Sequence, residues 1–399
     1  MALNDFKVDY ILRYQDILSK VMVGLKIAST RFESNLKFGD TVTRTILNLS
    51  AVRVRSFTNL TDQTIDPLTD SEETMTVNVQ VGAVFPIARL EKIQAGPLNP
   101  AMTAGKEVAI KVANYLDSVI LKEVTNAWAV FDTGNLTTAS ANGTPITLSS
   151  TTVPQMVAQS YAKLFSNNVS MTNLCWVLDP FSVSQIAQFP IGKEIATENT
   201  TFKNGFTGNL FGAEVYTSNN LTGEATLTFT GNAVNNETVV IGGVTFTGVT
   251  TIGSNPGNYL VSASDSTTAV TNLAGLINNP GTTSSTQVAL SSADQIKITD
   301  TLGLTATATS ATVLTIVGRG SSRLTLSETQ TNATWSSNFV HAYYGMKGAI
   351  DVAVQDQPTV EMREEAKQLT TNIFNNVVAA VKTFTDGSQK FLDVKIANA

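Results

Sequence analysis

Along the first quarter of the chain, hydrophobic positions recur every second residue. Thr41-Val42-Thr43-Arg44-Thr45-Ile46 and Val52-Arg53-Val54-Arg55 alternate in this way, the pattern of strands with one covered face. A polar, acidic stretch with Pro67 at its centre follows, carrying Asp62, Asp66, Asp70, Glu72 and Glu73, and reads as a turn region. Alternation resumes with Met75, Val77, Val79 and Val81 on one face and Thr76, Asn78 and Gln80 on the other. Two such runs around a polar tip predict a long β-hairpin with a basic outgoing arm (Arg44, Arg53, Arg55) and an acidic tip. Two readings stand side by side: an ordinary solvated hairpin, or one that reaches a neighbouring subunit, with the opposite charges setting the register. Ahead of it, residues 1–38 show a helical pattern only near Tyr10–Ser19 and read as an arm.

The period then changes from two to four. Asn99-Pro100 supplies an N-cap and a proline for the first helical turn, and Val108, Val112, Leu116, Ile120 and Val124 recur at i+4, with Val119 and Trp128 widening the stripe. The spacing predicts a helix over 99–128, about 40 Å long at 1.5 Å per residue, fit to lie across a sheet or along an interface. Residues 133–150 read as loop, Pro154 opens a second amphipathic helix, and the apolar run Leu174-Cys175-Trp176-Val177-Leu178 reads as a buried strand. Phe181–Phe189 reads as a short helix and Leu210–Tyr216 as a strand.

From Leu221 to Thr334 roughly a third of the residues are Ser or Thr, and charges nearly vanish. Short runs at Ala225–Phe229, Thr238–Ile241, Val244–Phe246, Val288–Leu290, Gln295–Thr299, Val313–Val317 and Arg323–Leu326 predict strands, with one helix over Thr267–Asn278. This is the pattern of a mostly-β domain inserted into a host. Beyond it, an apolar segment runs from Asn338 to Pro358. Two further apolar runs, Asn372–Phe384 and Gln389–Ile396, flank Asp386-Gly387, a hairpin signal.

Composition narrows the chemistry. The chain has 399 residues, 42% hydrophobic and only 15% charged, with a net charge of −6, one histidine and one cysteine. That excludes a Cys/His zinc cluster and an intrachain disulfide, and it leaves His341 as the one histidine for any nucleophilic triad. His341 lies among apolar residues beside Tyr343 and Tyr344, and Cys175 inside an apolar run, the settings of core residues. Gly318-Arg319-Gly320-Ser321-Ser322-Arg323 begins like a dinucleotide fingerprint but lacks its third glycine and its strand–turn–helix setting. The acidic residues of the hairpin read as a solvated tip rather than a cation site. The expectation is a protein with no catalytic, cofactor or metal residues. No apolar run approaches the ~20 residues of a membrane span, and the N-terminus carries no apolar signal region.

The order of these elements resembles the major capsid proteins of tailed double-stranded-DNA phages, with the fold named for phage Hong Kong 97. Within that family it looks most like the Salmonella-phage-like coat proteins that carry an inserted domain. Four segments carry the resemblance: Phe38-Gly39-Asp40-Thr41-Val42, Val81–Trp128, Leu210–Asn219 and Asn338–Pro358. It implies an α+β fold built from an N-terminal arm (1–38), an extended β-hairpin loop (39–86) and a peripheral domain with a spine helix (87–145). An axial domain (146–220) follows, then an inserted β-rich, immunoglobulin-like domain (221–335) and a second axial and peripheral part with a C-terminal hairpin (336–399). It also implies a structural shell subunit of the virion, assembling in the host cytoplasm into pentamers and hexamers that close around double-stranded DNA. Its main partner would be itself; scaffolding, portal and decoration proteins and the packaged DNA would be further partners, with no membrane. Arg44, Arg53, Arg55, Asp62, Asp66, Asp70, Glu72 and Glu73 would make contacts between subunits. A tail component, a nanocompartment shell and a hydrolase using His341 are the alternatives.

Overall fold

The computed structural model describes residues 22–32, 41–48, 66, 69–88, 100–136, 143–170, 172–188, 206–262, 264–320, 323–365 and 370–398. The expected helix near Tyr10–Ser19 and strand Val52–Arg55 lie outside them. Strands β1 (Thr41–Asn48) and β2 (Thr69–Thr76) form a two-stranded antiparallel ribbon, with Thr41 opposite Thr76 and Asn48 opposite Thr69. Asp70, Glu72 and Glu73 therefore lie inside a strand and not at a tip. The return alternation keeps its phase, since Met75 and Val79 are buried while Thr76, Asn78 and Gln80 are exposed. It is nevertheless divided between two sheets. β3 (Val79–Ala88) leaves the ribbon and pairs with β17 (Thr370–Lys382), which pairs in turn with β16 (Asp351–Glu365). Asn78 makes this corner: its side chain donates to the Val381 carbonyl and accepts from the Val381 N–H, both at 3.0 Å, replacing a rung of backbone ladder. β16 continues through Pro358, where the apolar segment was expected to end. The register shifts around Val354, Asp356 and Thr359, and a bulge is where a strand accommodates a residue with no N–H.

After the single turn α1 (Gly24–Ile27), the first long helix is α2 (Pro100–Lys122), which tightens into a 3₁₀ turn at Glu123–Asn126. Val112, Leu116, Ile120 and Val124 are buried, while Glu107, Lys111, Asn114 and Lys122 face solvent. α3 (Thr133–Leu136), α4 (Thr152–Ser166) and α5 (Pro180–Ile186) follow. Asp179 caps α5 by accepting from the Phe181 and Ser182 N–H groups.

The centre of the molecule is a nine-stranded sheet. Its main path runs β12 (Leu304–Ser310), β13 (Val313–Gly318), β8 (Gly223–Phe229), β15 (Ala333–Met346), β5 (Leu174–Leu178), β7 (Ala213–Thr217), β6 (Phe206–Leu210). β15 organises it: β8 pairs with its first half and β5 with its second along one edge, while β18 (Phe391–Ala397) takes the other edge and carries β4 (Ala129–Phe131) in parallel. β5 is buried throughout, and Trp176 stacks on Tyr344 of β15 with ring centroids 4.1 Å apart. The segment read as a single strand at Leu210–Tyr216 is a tight hairpin. Phe211 and Gly212 both take positive φ, +51° and +79°, the signature of a two-residue primed turn.

Two hydrophobic clusters line this sheet. One joins α2, α4, β5 and β18; the other is drawn wholly from residues 225–333, including Leu227, Phe246, Tyr259, Leu273 and Ile316. The second cluster is not an immunoglobulin sandwich. α6 (Ser266–Asn278) packs into it, and in its four-stranded sheet β11 (Asn258–Leu260), β10 (Val244–Val249), β9 (Thr238–Ile241) and β14 (Leu326–Glu328) the β10–β11 pair is parallel, whereas that sandwich is built of antiparallel sheets. Gln295–Thr299, expected as strand, is helical: Ser291 caps α7 (Ser292–Ile296), which runs on into a π-turn. Val288–Leu290 lies beside a lone bridge between Tyr259 and Gln287 and forms no strand.

The expected C-terminal hairpin does not form. β17 pairs with β16 and β3, β18 pairs with β15 and β4, and Asp386-Gly387 sits in the single turn α8 (Thr385–Ser388) between them. Gly387 is there for close approach: a Cβ would lie 2.2 Å from the Ala349 carbonyl oxygen.

Candidate assembly surface

The ribbon β1–β2 is the element expected to reach a neighbour. A lone two-stranded ribbon is marginal in water, so its root must be held, and a small cluster holds it. Met75 of β2 is buried with Ala353, Ala380 and Phe384, and Val42, Val77 and Phe32 pack around them. Above this cluster, opposite charges on facing residues turn to the same place. Arg44 and Glu73 are register partners. Arg44 Nη1 donates to Asp386 Oδ1 at 2.6 Å, and its guanidinium lies 5.5 Å from the Phe384 ring centroid. Glu73 accepts from the Thr385 N–H at 3.2 Å and from the Thr385 hydroxyl. Lys382 Nζ donates to the Thr74 carbonyl at 2.5 Å. Burial raises the Asp386 carboxyl, but the Arg44 hydrogen bond and the nearby Lys390 and Arg31 charges outweigh it and hold the group below its ordinary range.

Arg44 and Glu73 are thus spent on their own chain, at the ribbon's root. Asp70 and Glu72 further along β2 are exposed, and Asp66 is half-buried. Arg53, Arg55 and Asp62 lie outside the described residues. Asp386 and Thr385 were missed as partners of the ribbon because they stand more than 300 residues away in sequence, and Asp-Gly carries a turn signal that masks any other role.

The two residues read as core residues, Cys175 and His341, are both buried. Cys175 is fully buried, which pushes its thiol up to about 12. His341 Nδ1 lies 2.9 Å from Asp393 of β18, and Nε2 lies 3.2 Å from Glu224 of β8. Burial alone would lower the imidazole, but the two carboxylates raise it to about 9. Among the described residues no group of three or more His, Cys, Asp or Glu side chains could hold a metal ion, and no helix is long and apolar enough to cross a membrane.

No family model and no curated protein matches the sequence. Solved structures do match, over nearly the whole length. The capsid structure of the cyanophage P-SCSP1u has a TM-score of 0.50 at 10% identity, covering 95% of this chain and 89% of that one. The fold is that of a phage capsid protein. A structure from Mycobacterium phage Che8 is 11% identical, with a TM-score of 0.48 over 94% of this chain and 90% of that one. The virus-like particle from Pyrococcus furiosus is 7% identical, with a TM-score of 0.43 over 97% and 98%. In capsid-fold terms, the described structure combines a β-ribbon held at its root, a long helix over a mixed sheet, and a second core added along the edge of that sheet.

Proposed function

We propose that the chain is a structural shell subunit of a phage virion, whose activity is assembly and which catalyses no reaction. The observation that carries this is the capsid fold, shared over 95% of the chain with the cyanophage capsid. Identical copies joined through different patches close into rings when the rotation closes, and pentamers and hexamers of this chain would close a shell around double-stranded DNA. With a net charge of −6 the subunit would bind that DNA weakly. In this reading 1–38 is an arm, 39–86 the extended loop, 87–145 the peripheral domain, 146–220 and 336–399 the axial and peripheral remainder, and 221–335 an added module. Scaffolding, portal and decoration proteins are its further partners, and assembly takes place in the host cytoplasm.

The ribbon supports the reading physically. Among the described residues its two strands pair only with each other, and its exposed side presents Asp70 and Glu72. Those carboxylates, with Asp62, Asp66, Arg53 and Arg55, are proposed to meet a neighbouring copy, while Arg44 and Glu73 fix the angle at which the ribbon departs. Sedimentation of the purified chain over a range of concentrations tests this: capsomers or larger closed species are expected, and a monomer at every concentration, with and without co-expressed virion proteins, contradicts it.

A further inference from the structure

The link between β13 and β14 holds charges that neither the shell reading nor the cores use. Residues 221–335 contain three cationic side chains, Lys297, Arg319 and Arg323, and two of the three stand in this one link. Gly318, the last residue of β13, lies opposite Gly223, the first of β8. Arg319 therefore emerges at the base of the added module, where it meets the body.

Both arginines reach body helices. The Arg319 guanidinium lies 3.8 Å from the ring centroid of Tyr115 on α2, close enough for cation–π attraction. Gly320, at φ +74°, brings the backbone so near α2 that a Cβ would sit 2.9 Å from Ser118 Cβ. Arg323 Nε donates to Asp179 Oδ2 at 2.8 Å, and its guanidinium lies 4.7 Å from the Phe181 ring centroid. Asp179 is fully buried and already fixed by the first turn of α5. The anion is therefore in place before the arginine arrives, which favours a charge-assisted bond.

The topology shows what such contacts would add. The module's two covalent connections are β8 and β15, adjacent strands paired to each other over Gly223–Phe229 and Ala333–Val340. Both attachments lie along one line, about which a module can twist. The link starts from β13, two strands from β15, and grips the body off that line.

We propose that the β13–β14 link is a clasp that fixes the module's orientation on the body. Arg319 grips α2 through Tyr115, and Arg323 grips the start of α5 through Asp179. The broken glycine fingerprint then supplies the two arginines of the clasp. A partner of the module would meet a surface set at one angle to the body.

Hydrogen exchange on the full-length chain tests the clasp. The readout at the base is the His341 amide, which donates to the Thr222 carbonyl at 2.9 Å; amides of the β9–β10 pair report on the module's interior. In the double variant Arg319→Ala/Arg323→Ala, exchange at the base is expected to rise about tenfold, with interior exchange unchanged. Lys297→Ala, which removes the module's third cation, is expected to change neither. Unchanged exchange at the base, or an equal rise in the interior, overturns the proposal. Tyr115→Ala against Tyr115→Phe decides the matter if the double variant does not fold. Faster base exchange in Tyr115→Ala alone supports the clasp, since phenylalanine keeps the ring face, and equal exchange in the two overturns it.

Discussion

Arg44 and Asp386 stand 342 positions apart in sequence and 2.6 Å apart in space. This pair sits at the root of the ribbon, roughly a quarter to a third exposed on each side, so it is only partly screened. Replacing either residue by Ala is expected to cost about 0.5–1 kcal/mol in urea unfolding, and the double variant less than the sum of the two. Strict additivity would show that the two side chains do not interact.

Charge reversal further along the ribbon separates folding from assembly. Asp70→Lys/Glu72→Lys changes exposed positions, so unfolding of the subunit should move by no more than about 0.5 kcal/mol. The yield of assembled particles should fall. The yield is also expected to fall in Arg53→Glu/Arg55→Glu. Unchanged yields in both variants would remove the ribbon's charges from the contact between copies.

His341 gives stability a pH dependence of definite sign. Its folded pKa, about 9, lies above the ordinary 6.5, so the folded state holds the proton more tightly. The contribution is complete below pH 6.5 and is lost as pH rises towards 9. Burial raises Glu224, but its hydrogen bond to His341 outweighs this and holds it below the ordinary value; its contribution is present above about pH 4.5 and lost as pH falls. His341→Ala leaves Asp393 and Glu224 without their shared cation and is expected to cost about 3 kcal/mol near pH 6. It should also flatten the decline between pH 6.5 and 9. A variant that keeps that decline would assign it to another group.

Gly345 lies on β15 opposite Phe391 of β18, and a Cβ there would lie 2.3 Å from Phe391 Cβ. Gly345→Ala should force the strands apart where Tyr343 stacks on Phe391. A loss of about 2 kcal/mol in thermal or urea unfolding is expected.

The sequence disclosed what depends on local periodicity. The i+4 stripe from Val108 to Val124 marked α2, and the apolar run Leu174–Leu178 marked a strand buried on both faces. The alternation from Met75 to Val81 marked the correct buried face, but not the change of sheet at Asn78, because period two continues unbroken through a corner made by one side chain. Gln295–Thr299 misled because a five-residue run has no period to measure, while the cap at Ser291 had already committed it to a helix. Asp386-Gly387 looked like a hairpin turn, yet its glycine answers to a carbonyl at Ala349. For the proposed assembly surface, the acidic and basic residues were visible, but which of them the chain uses on itself was not. Arg44, Glu73 and Arg323 find partners set by tertiary packing alone.

If this chain is a shell subunit, it builds a closed particle from copies of itself. Negative-stain electron microscopy of the chain expressed with neighbouring virion proteins is then expected to show closed particles tens of nanometres across, built of this chain. A field of single subunits at high protein concentration would rule this out.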